Sequence, residues 1–299
     1  MRILCIGHVA FDTTVLTDSY PVENTKNVVP KKVECGGGPS SNAAYLLGCW
    51  GCDVEFIGVV GNDYQGQKVK EEFDQVHVDT SHLKLKDDYS TSTSFIIANT
   101  TIGSRTILTY HSKPITYGEL GEIKKPDLIL LDGREYELSK KVLEAYPDAI
   151  SVIDASHTTE ETIALSKMVD YIVCSHEFAE GMTNVSLKRK DKDTLKQCYQ
   201  KMEEIFHNHI VITLEATGSL YKEEDQLKIM PTIKVKAIDS TGAGDLYHGG
   251  FVYGLSQKLP LEKVVRIATV AGGLAVTKVG GRYSVASKEE MRNYIADFK

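Results

Sequence analysis

No segment of the 299-residue sequence is apolar for long enough to span a bilayer. The N-terminal run Met1-Arg2-Ile3-Leu4-Cys5-Ile6 is too short for a secretory leader and stops at Gly7-His8. A cytoplasmic protein without a membrane partner is expected. Basic charge is not in excess either: 34 Lys and Arg stand against 41 Asp and Glu, a net charge of −7. Proteins that grip nucleic acid through its phosphates are normally basic, so no nucleic-acid partner is expected. The six cysteines, at 5, 35, 49, 52, 174 and 198, are scattered, which speaks against a disulfide framework. Cys49-Trp50-Gly51-Cys52 is a single C-x-x-C; without a second pair it makes no zinc site and reads as small apolar residues at a helix end.

Several catalytic signatures are also missing. The absence of G-x-x-x-x-G-K-[ST] argues against a P-loop enzyme, and that of H-R-D and D-F-G against a protein kinase. G-x-S-x-G is absent, which weakens a serine-hydrolase reading. His207-Asn208-His209 lacks an H-E-x-x-H context and reads as a helix end.

What is present is an α/β rhythm. Short apolar runs at 3–9, 54–60, 128–131, 150–154, 171–174 and 210–214 have the contiguous hydrophobicity of buried parallel strands. Helix-length amphipathic segments occupy 41–50, 65–76, 135–145, 159–168, 194–206 and 261–278. Alternation of the two predicts one α/β domain over 1–299 with a mostly parallel central sheet. Residues 13–34 and 90–112 break the rhythm: they are β-prone and, around 90–111, rich in Ser and Thr. A small antiparallel sheet projecting from the main domain accommodates both. It is expected to act as a lid, with a surface hairpin or a dimer edge as the alternatives. The basic run at 188–192 reads as a solvated loop.

Two glycine motifs carry the chemistry. Asp239-Ser240-Thr241-Gly242-Ala243-Gly244-Asp245 follows a β-like stretch at 233–238 and precedes a helix-like stretch at 246–255. Gly242 and Gly244 remove side chains where backbone turns sharply or approaches a ligand, so Gly244→Val is expected to damage both folding and phosphate binding. The N–H groups of Gly242, Ala243 and Gly244 at a helix N-terminus would bind an anion. Two readings of Asp245 stand at this point: a base that takes a proton from an attacking hydroxyl, or a helix-start acid favoured by the dipole. The second motif is Gly36-Gly37-Gly38-Pro39-Ser40-Ser41-Asn42. It reads either as a sugar-binding loop, with Asn42 offering a donor and an acceptor, or as a glycine-rich turn with a helix cap.

In this order and about 200 residues apart, the motifs resemble the two signatures of the ribokinase-like carbohydrate kinases, also called the phosphofructokinase B family. The resemblance extends over the whole chain. It includes Gly7-His8-Val9-Ala10-Phe11-Asp12, similar to a first strand leading to a substrate-binding Asp, and Gly58-Val59-Val60-Gly61-Asn62-Asp63. It implies a three-layer fold with a small β-sheet lid, the cofactors ATP and Mg2+, and a K+ ion near Asp239 and Thr241. Catalysis would fall to Asp245 with Gly242, Ala243 and Gly244. Asp12, Gly37, Gly38, Asn42, Phe95 and Arg105 would bind the sugar. Thr213, Gly218, Thr241, Gly242, Gly244 and Ala271 would bind the nucleotide; the small face at 268, 271, 272 and 275 is otherwise a packing stripe. Gly103-Ser104-Arg105-Thr106-Ile107-Leu108-Thr109-Tyr110 is similar to the lid strand of ketohexokinases and fructokinases, which implies an unphosphorylated ketose-like acceptor rather than a nucleoside. A homodimer through the lid is a further implication. An acceptor that already carries phosphate would need two or three converging basic residues, for which Arg105, Lys26 and Lys113 are the candidates. The chain departs from the family at Ser175-His176-Glu177-Phe178, where many members have Asn-x-x-Glu; this leaves Glu177 as the candidate magnesium contact. In Thr213-Leu214-Glu215-Ala216-Thr217-Gly218, Glu215 replaces the first Gly of T-x-G-x-x-G.

Overall fold

A computed structural model of the chain describes residues 1–111, 117–188 and 191–299. Lys113 and the centre of the 188–192 run lie outside the described residues. The chain opens with β1 (Arg2–Ile6), β2 (Ala10–Thr17), β3 (Lys32–Gly37) and α1 (Pro39–Cys49). Then come β4 (Asp53–Gly61), α2 (Tyr64–Gln75), β5 (Leu83–Lys86), β6 (Ser92–Asn99) and β7 (Ser104–Tyr110). The middle of the chain alternates β8 (Leu128–Leu131), α3 (Tyr136–Ala145), β9 (Ile150–Ala155), α4 (Glu160–Ser166) and β10 (Tyr171–Ser175). Helices α5 (His176–Thr183) and α6 (Lys192–Ile205) lead to β11 (His209–Thr213), β12 (Ser219–Glu223) and β13 (Gln226–Met230). The chain closes with α7 (Ala243–Ser256), α8 (Leu261–Ala275) and α9 (Lys288–Arg292). No helix among the described residues is long and apolar enough to cross a membrane.

Nine strands form the main sheet in the order β13-β12-β11-β10-β9-β8-β1-β4-β5. The seven from β11 to β5 pair in parallel, while β12 and β13 add an antiparallel edge. The parallel strands bury both faces, and side chains alternate between them. Ile3, Cys5, Leu128, Leu130, Val152 and Val173 pack on one side with Leu246 and Phe251 of α7 and Val264 and Ala268 of α8. Leu4, Ile6, Ile129, Leu131, Ile153 and Ile172 pack on the other with Val142 of α3, Phe178 of α5 and Met202 of α6. These are the expected three layers. From β1 the chain builds outward through β4 and β5; from β8 it builds the opposite way through β9, β10 and β11. The order therefore reverses between β1 and β8, and the crevice beyond their carboxyl ends is where open α/β sheets bind ligands.

The two segments that broke the rhythm do make one small sheet, in the order β3-β2-β6-β7. It is mixed rather than antiparallel, because β2 and β6 run parallel. The connection from β2 to β6 is a crossover through β3, α1, β4, α2 and β5, while β6 and β7 pair antiparallel as a hairpin. Residues 233–238, read as strand-like, are an irregular segment anchored by the Ile238 N–H on the Val276 carbonyl (2.7 Å).

Candidate active site

Helix α7 is buried along most of its length, and its N-terminus opens beside the carboxyl ends of the sheet. Gly242 caps it at φ 75°, a left-handed conformation that favours glycine, and a Cβ there would lie 2.8 Å from the Gly281 Cα. Asp239 braces the loop. Its Oδ1 accepts the Thr241 N–H (2.9 Å) and hydroxyl (2.6 Å), and its Oδ2 accepts the Gly280 N–H (3.0 Å). The first-turn N–H groups of α7 lack intrahelical partners and point toward an anion site, although that of Ala243 makes a long bond to the Ser240 carbonyl (3.4 Å). Asp245 lies in that first turn. Its Oδ2 accepts a 2.6 Å hydrogen bond from Asn42 Nδ2, a contact that joins the two glycine motifs across 203 positions of sequence. Buried Asn42 Oδ1 has no hydrogen-bond partner among the described residues.

The Gly36–Gly38 turn is shaped by what surrounds it. Gly36 passes against the fully buried Arg282, whose Nη1 pairs with Glu72 (2.8 Å); Glu72 in turn accepts the Gly36 N–H (2.9 Å). A Cβ on Gly37 would overlap the Asp12 carboxylate. Gly38, at φ 100°, passes the His8 carbonyl too closely for any side chain, and Pro39 then starts α1 at a position that needs no N–H. Asp12 pairs in register with Ser94 of β6 and takes a hydrogen bond from it. Burial pushes the Asp12 carboxyl up to about 6; the Ser94 bond pulls it down and Asp245 pushes it further up. The small sheet lies over the anion loop. Arg105 Nη1 donates to Ser240 Oγ (2.7 Å), and Gly103 at the hairpin tip packs on Ala237. Phe95 does not join the group. Strand alternation puts it on the opposite face from Ser94, where it is 45% exposed.

The sequence matches the pfkB family carbohydrate kinase profile over residues 1–288. The chain belongs to the pfkB family of carbohydrate kinases. It is an ATP-dependent phosphotransferase by that membership. It is similar to the ribokinase of Haemophilus influenzae, 26% identical over 275 residues covering 87% of each chain. It is also similar to the nucleoside kinase of Methanothermobacter thermautotrophicus, 23% identical over 319 residues, covering 96% of this chain and 93% of that one. The fold matches that of Cryptococcus neoformans ribokinase in complex with ADP, with a TM-score of 0.80, 22% identity and coverage of 98% and 99% of the two chains.

On the far side of the kinase cleft, Thr213 ends β11 with its hydroxyl on the Cys174 carbonyl (3.3 Å), and Gly218 leads into β12. Glu215, in place of the family glycine, has φ 49°. A non-glycine residue costs ~1–2 kcal/mol in that conformation. Glu215, Glu177 and His176 bring their ligand atoms within 4.8 Å of one another, with Glu177 Oε2 3.0 Å from His176 Nδ1. This donor set suits a divalent cation; the imidazole favours transition metals over magnesium, which prefers oxygen. At Asp239 the Oδ1 is taken up by Thr241 and the Oδ2 accepts one bond, from the Gly280 N–H beyond α8, so only Oδ2 keeps capacity toward a monovalent cation. Ala271 lies in the helix-packing interface. It is 1% exposed and packs on α7, where a Cβ on Gly250 would come 3.0 Å from the Ala271 Cβ.

Sequence reasoning missed the groups behind and beside Asp245. His248, one turn along α7, places Nδ1 2.7 Å from the Gly244 carbonyl and 3.2 Å from Asp154 Oδ2, and Nε2 3.0 Å from the Val173 carbonyl. It ties the start of α7 to the ends of β9 and β10. The Asp245 carboxyl is held above the usual carboxylate range by burial first and Asp154 second, against the Asn42 hydrogen bond, His248 and Arg105. The lone sequence sign of this arrangement is a polar residue, His248, inside an otherwise apolar buried helix.

Proposed function

We propose that this kinase transfers the γ-phosphate of ATP to a hydroxyl of a sugar of ketose type, with Asp245 as the general base. The observation that carries the reading is the Asn42–Asp245 hydrogen bond at the N-terminus of α7. It sets a carboxylate, an amide with a free acceptor and a row of helix N–H groups around one point. A hydroxyl held by Asn42 and Asp12 gives its proton to Asp245 as its oxygen attacks in line. The amides at Gly242, Ala243 and Gly244 take the charge growing on the transferred group. Gly37 and Gly38 let the acceptor approach the backbone. Thr213, Gly218 and Thr241 border the nucleotide. Arg105, on Ser240, holds the lid down and excludes water. A magnesium ion would be held through the oxygens of Glu177, with Glu215 beside it, and would neutralise phosphate charge there; a potassium ion at Asp239 and Thr241 carries no step. The exposed edge strand β7 is the surface through which two lids would pair in a homodimer.

The lid-strand likeness supports the ketose; the ribokinase and nucleoside kinase relatives make pentoses and nucleosides the competitors. A coupled ADP-release screen over ketoses, aldoses, sugar phosphates, sugar acids and nucleosides decides. A ketose skeleton is expected to give the highest kcat/KM, and adenosine turned over far better than any sugar would displace it.

The electrostatics predict a pH signature. Asp245 acts only when ionised, so kcat/KM falls as pH drops through its raised pKa. Asp154→Asn removes a charge that disfavours ionisation and leaves His248, which favours it. The acid limb is therefore expected to move to lower pH. An unmoved limb with a reduced plateau would assign Asp154 a purely structural part.

A further inference from the structure

His248 is buried in α7 with both ring nitrogens aimed at acceptors. Nδ1 lies 2.7 Å from the Gly244 carbonyl and 3.2 Å from Asp154 Oδ2, and Nε2 lies 3.0 Å from the Val173 carbonyl. A carbonyl oxygen accepts and never donates. A neutral imidazole carries one N–H and one lone pair, so in either tautomer a lone pair would face a carbonyl with no proton between them. Protonating Asp154 does not remove the conflict, because the Gly244 oxygen would still meet a bare Nδ1. The doubly protonated ring alone satisfies both sides. Its counter-charge is at hand: Asp154 is buried, with Oδ2 on Nδ1 and Oδ1 accepting the Ser156 hydroxyl. The sheet brings these groups together. Asp154 and Val173 are register partners on the adjacent strands β9 and β10. Val152 and Val173 pack against α7, and alternation along β9 puts Asp154 on the same face as Val152.

A buried ion pair is weak evidence for stability, since removing two charges from water offsets most of their attraction. Its place in the fold is more telling. The Gly244 carbonyl and the Asp245 N–H belong to one peptide unit in the first turn of α7. An imidazolium on that carbonyl polarises the peptide and makes its N–H a stronger donor toward an anion. We propose that His248 is a doubly protonated positioning residue: paired with Asp154, it fixes the first turn of α7 and keeps a positive charge behind the general base and the anion loop. Its effect on rate rests on the reading of Asp245 as the base; the charge of the ring does not. Burial first and Asp154 second resist ionisation of Asp245, and the Asn42 hydrogen bond and His248 favour it. The other charged groups nearby are Asp132, beyond β8, which acts on Asp154, and Arg105 from β7 and Asp12 from β2, which act on Asp245. Tyr247 and Cys174 are held protonated by burial.

The charge of the ring is read first, without turnover. In the full-length protein with isotope-labelled histidine rings, NMR separates an imidazolium, with both nitrogens protonated, from either neutral tautomer. At about pH 8, where a histidine of ordinary pKa (about 6.5) is neutral, the His248 ring is expected to show both protons. Its signal is identified by its loss in His248→Gln or by its contacts with the Tyr247 ring. A singly protonated ring overturns the proposal. His248→Gln keeps a donor and loses the charge. Asp245 then ionises less readily, so the acid limb of kcat/KM is expected to move to higher pH. The shift should be about half to one pH unit, a fraction of what an opposite charge in direct contact gives. Asp154→Asn moves the same limb to lower pH, so the two halves of one ion pair act in opposite directions. Damage to packing alone would lower the plateau in both variants and leave the limb in place. His248→Asn takes the place of the glutamine variant should that one not fold. An unmoved limb in a folded variant overturns the positioning role, whatever the charge of the ring. If Asp245→Asn keeps turnover, the base assignment fails, while the NMR signal still decides whether His248 is the imidazolium.

Discussion

Asp245→Asn is expected to lower kcat by roughly 10²–10⁴-fold, the usual contribution of a general base, or about 3–5 kcal/mol at about 1.36 kcal/mol per decade. The side chains are nearly isosteric. The amide oxygen of an asparagine can still accept the 2.6 Å hydrogen bond from Asn42 Nδ2. What it cannot do is take the proton of an attacking hydroxyl at neutral pH. The fold is expected to hold. Loss of a first-turn acid at a helix N-terminus costs ~0.3–1 kcal/mol, and removing a carboxylate whose ionisation burial and Asp154 both resist works in the other direction. Circular dichroism and a thermal melt check the fold, calorimetry checks ATP binding, and steady-state ADP release checks the chemistry. A folded variant that kept more than about a tenth of wild-type kcat would fall below the general-base range and remove Asp245 from the role.

Much of this was legible in the sequence because of how parallel sheets are buried. Strands β1, β8, β9, β10 and β11 are covered on both faces, so each reads as a contiguous apolar run that few other structures produce. β5 (Leu-Lys-Leu-Lys) and the β12–β13 hairpin carry lysines and glutamates at the sheet's edges, and so escaped. The two glycine motifs were visible, since glycine at a tight approach leaves a mark in the sequence. Their union was not, because a hydrogen bond between residues 42 and 245 is a property of the fold. Phe95 was misplaced by a single step of parity: only the pairing of Asp12 with Ser94 tells which face of β6 meets the site. The packing of Ala271 on α7 was not legible, because a stripe of small residues serves helix packing and ligand access equally well in sequence. Asp154, near the end of β9, gains meaning only once α7 packs beside that strand and brings His248 and Asp245 to it.

The same limit applies to the paired glycines of the anion loop, which sequence could not tell apart. Gly242 sits at φ 75° against the Gly281 Cα, so its lack of a side chain is an architectural need. Gly244 follows it by two residues in the first turn of α7, is exposed, and a Cβ there would meet no atom within 4 Å. Its open side is the space that the transferred phosphate needs. Valine at 244 is therefore expected to fold, against the sequence expectation that it would damage the fold as well. Glycine is ~1 kcal/mol less favourable than alanine in a helix, so replacing it by valine is close to neutral for stability. Valine at 242 faces both a left-handed backbone, costing ~1–2 kcal/mol, and the collision with Gly281. At roughly 2–4 °C per kcal/mol, Gly242→Val should melt at least several degrees lower. Gly244→Val should melt with the wild type yet lose ATP binding and turnover together, by ~10²-fold or more if a phosphate can no longer reach the helix N–H groups. Differential scanning fluorimetry with ADP release on the two variants separates architecture from chemistry. A Gly244→Val protein that melted normally and turned over normally would place the phosphate elsewhere and undo the anion-loop assignment.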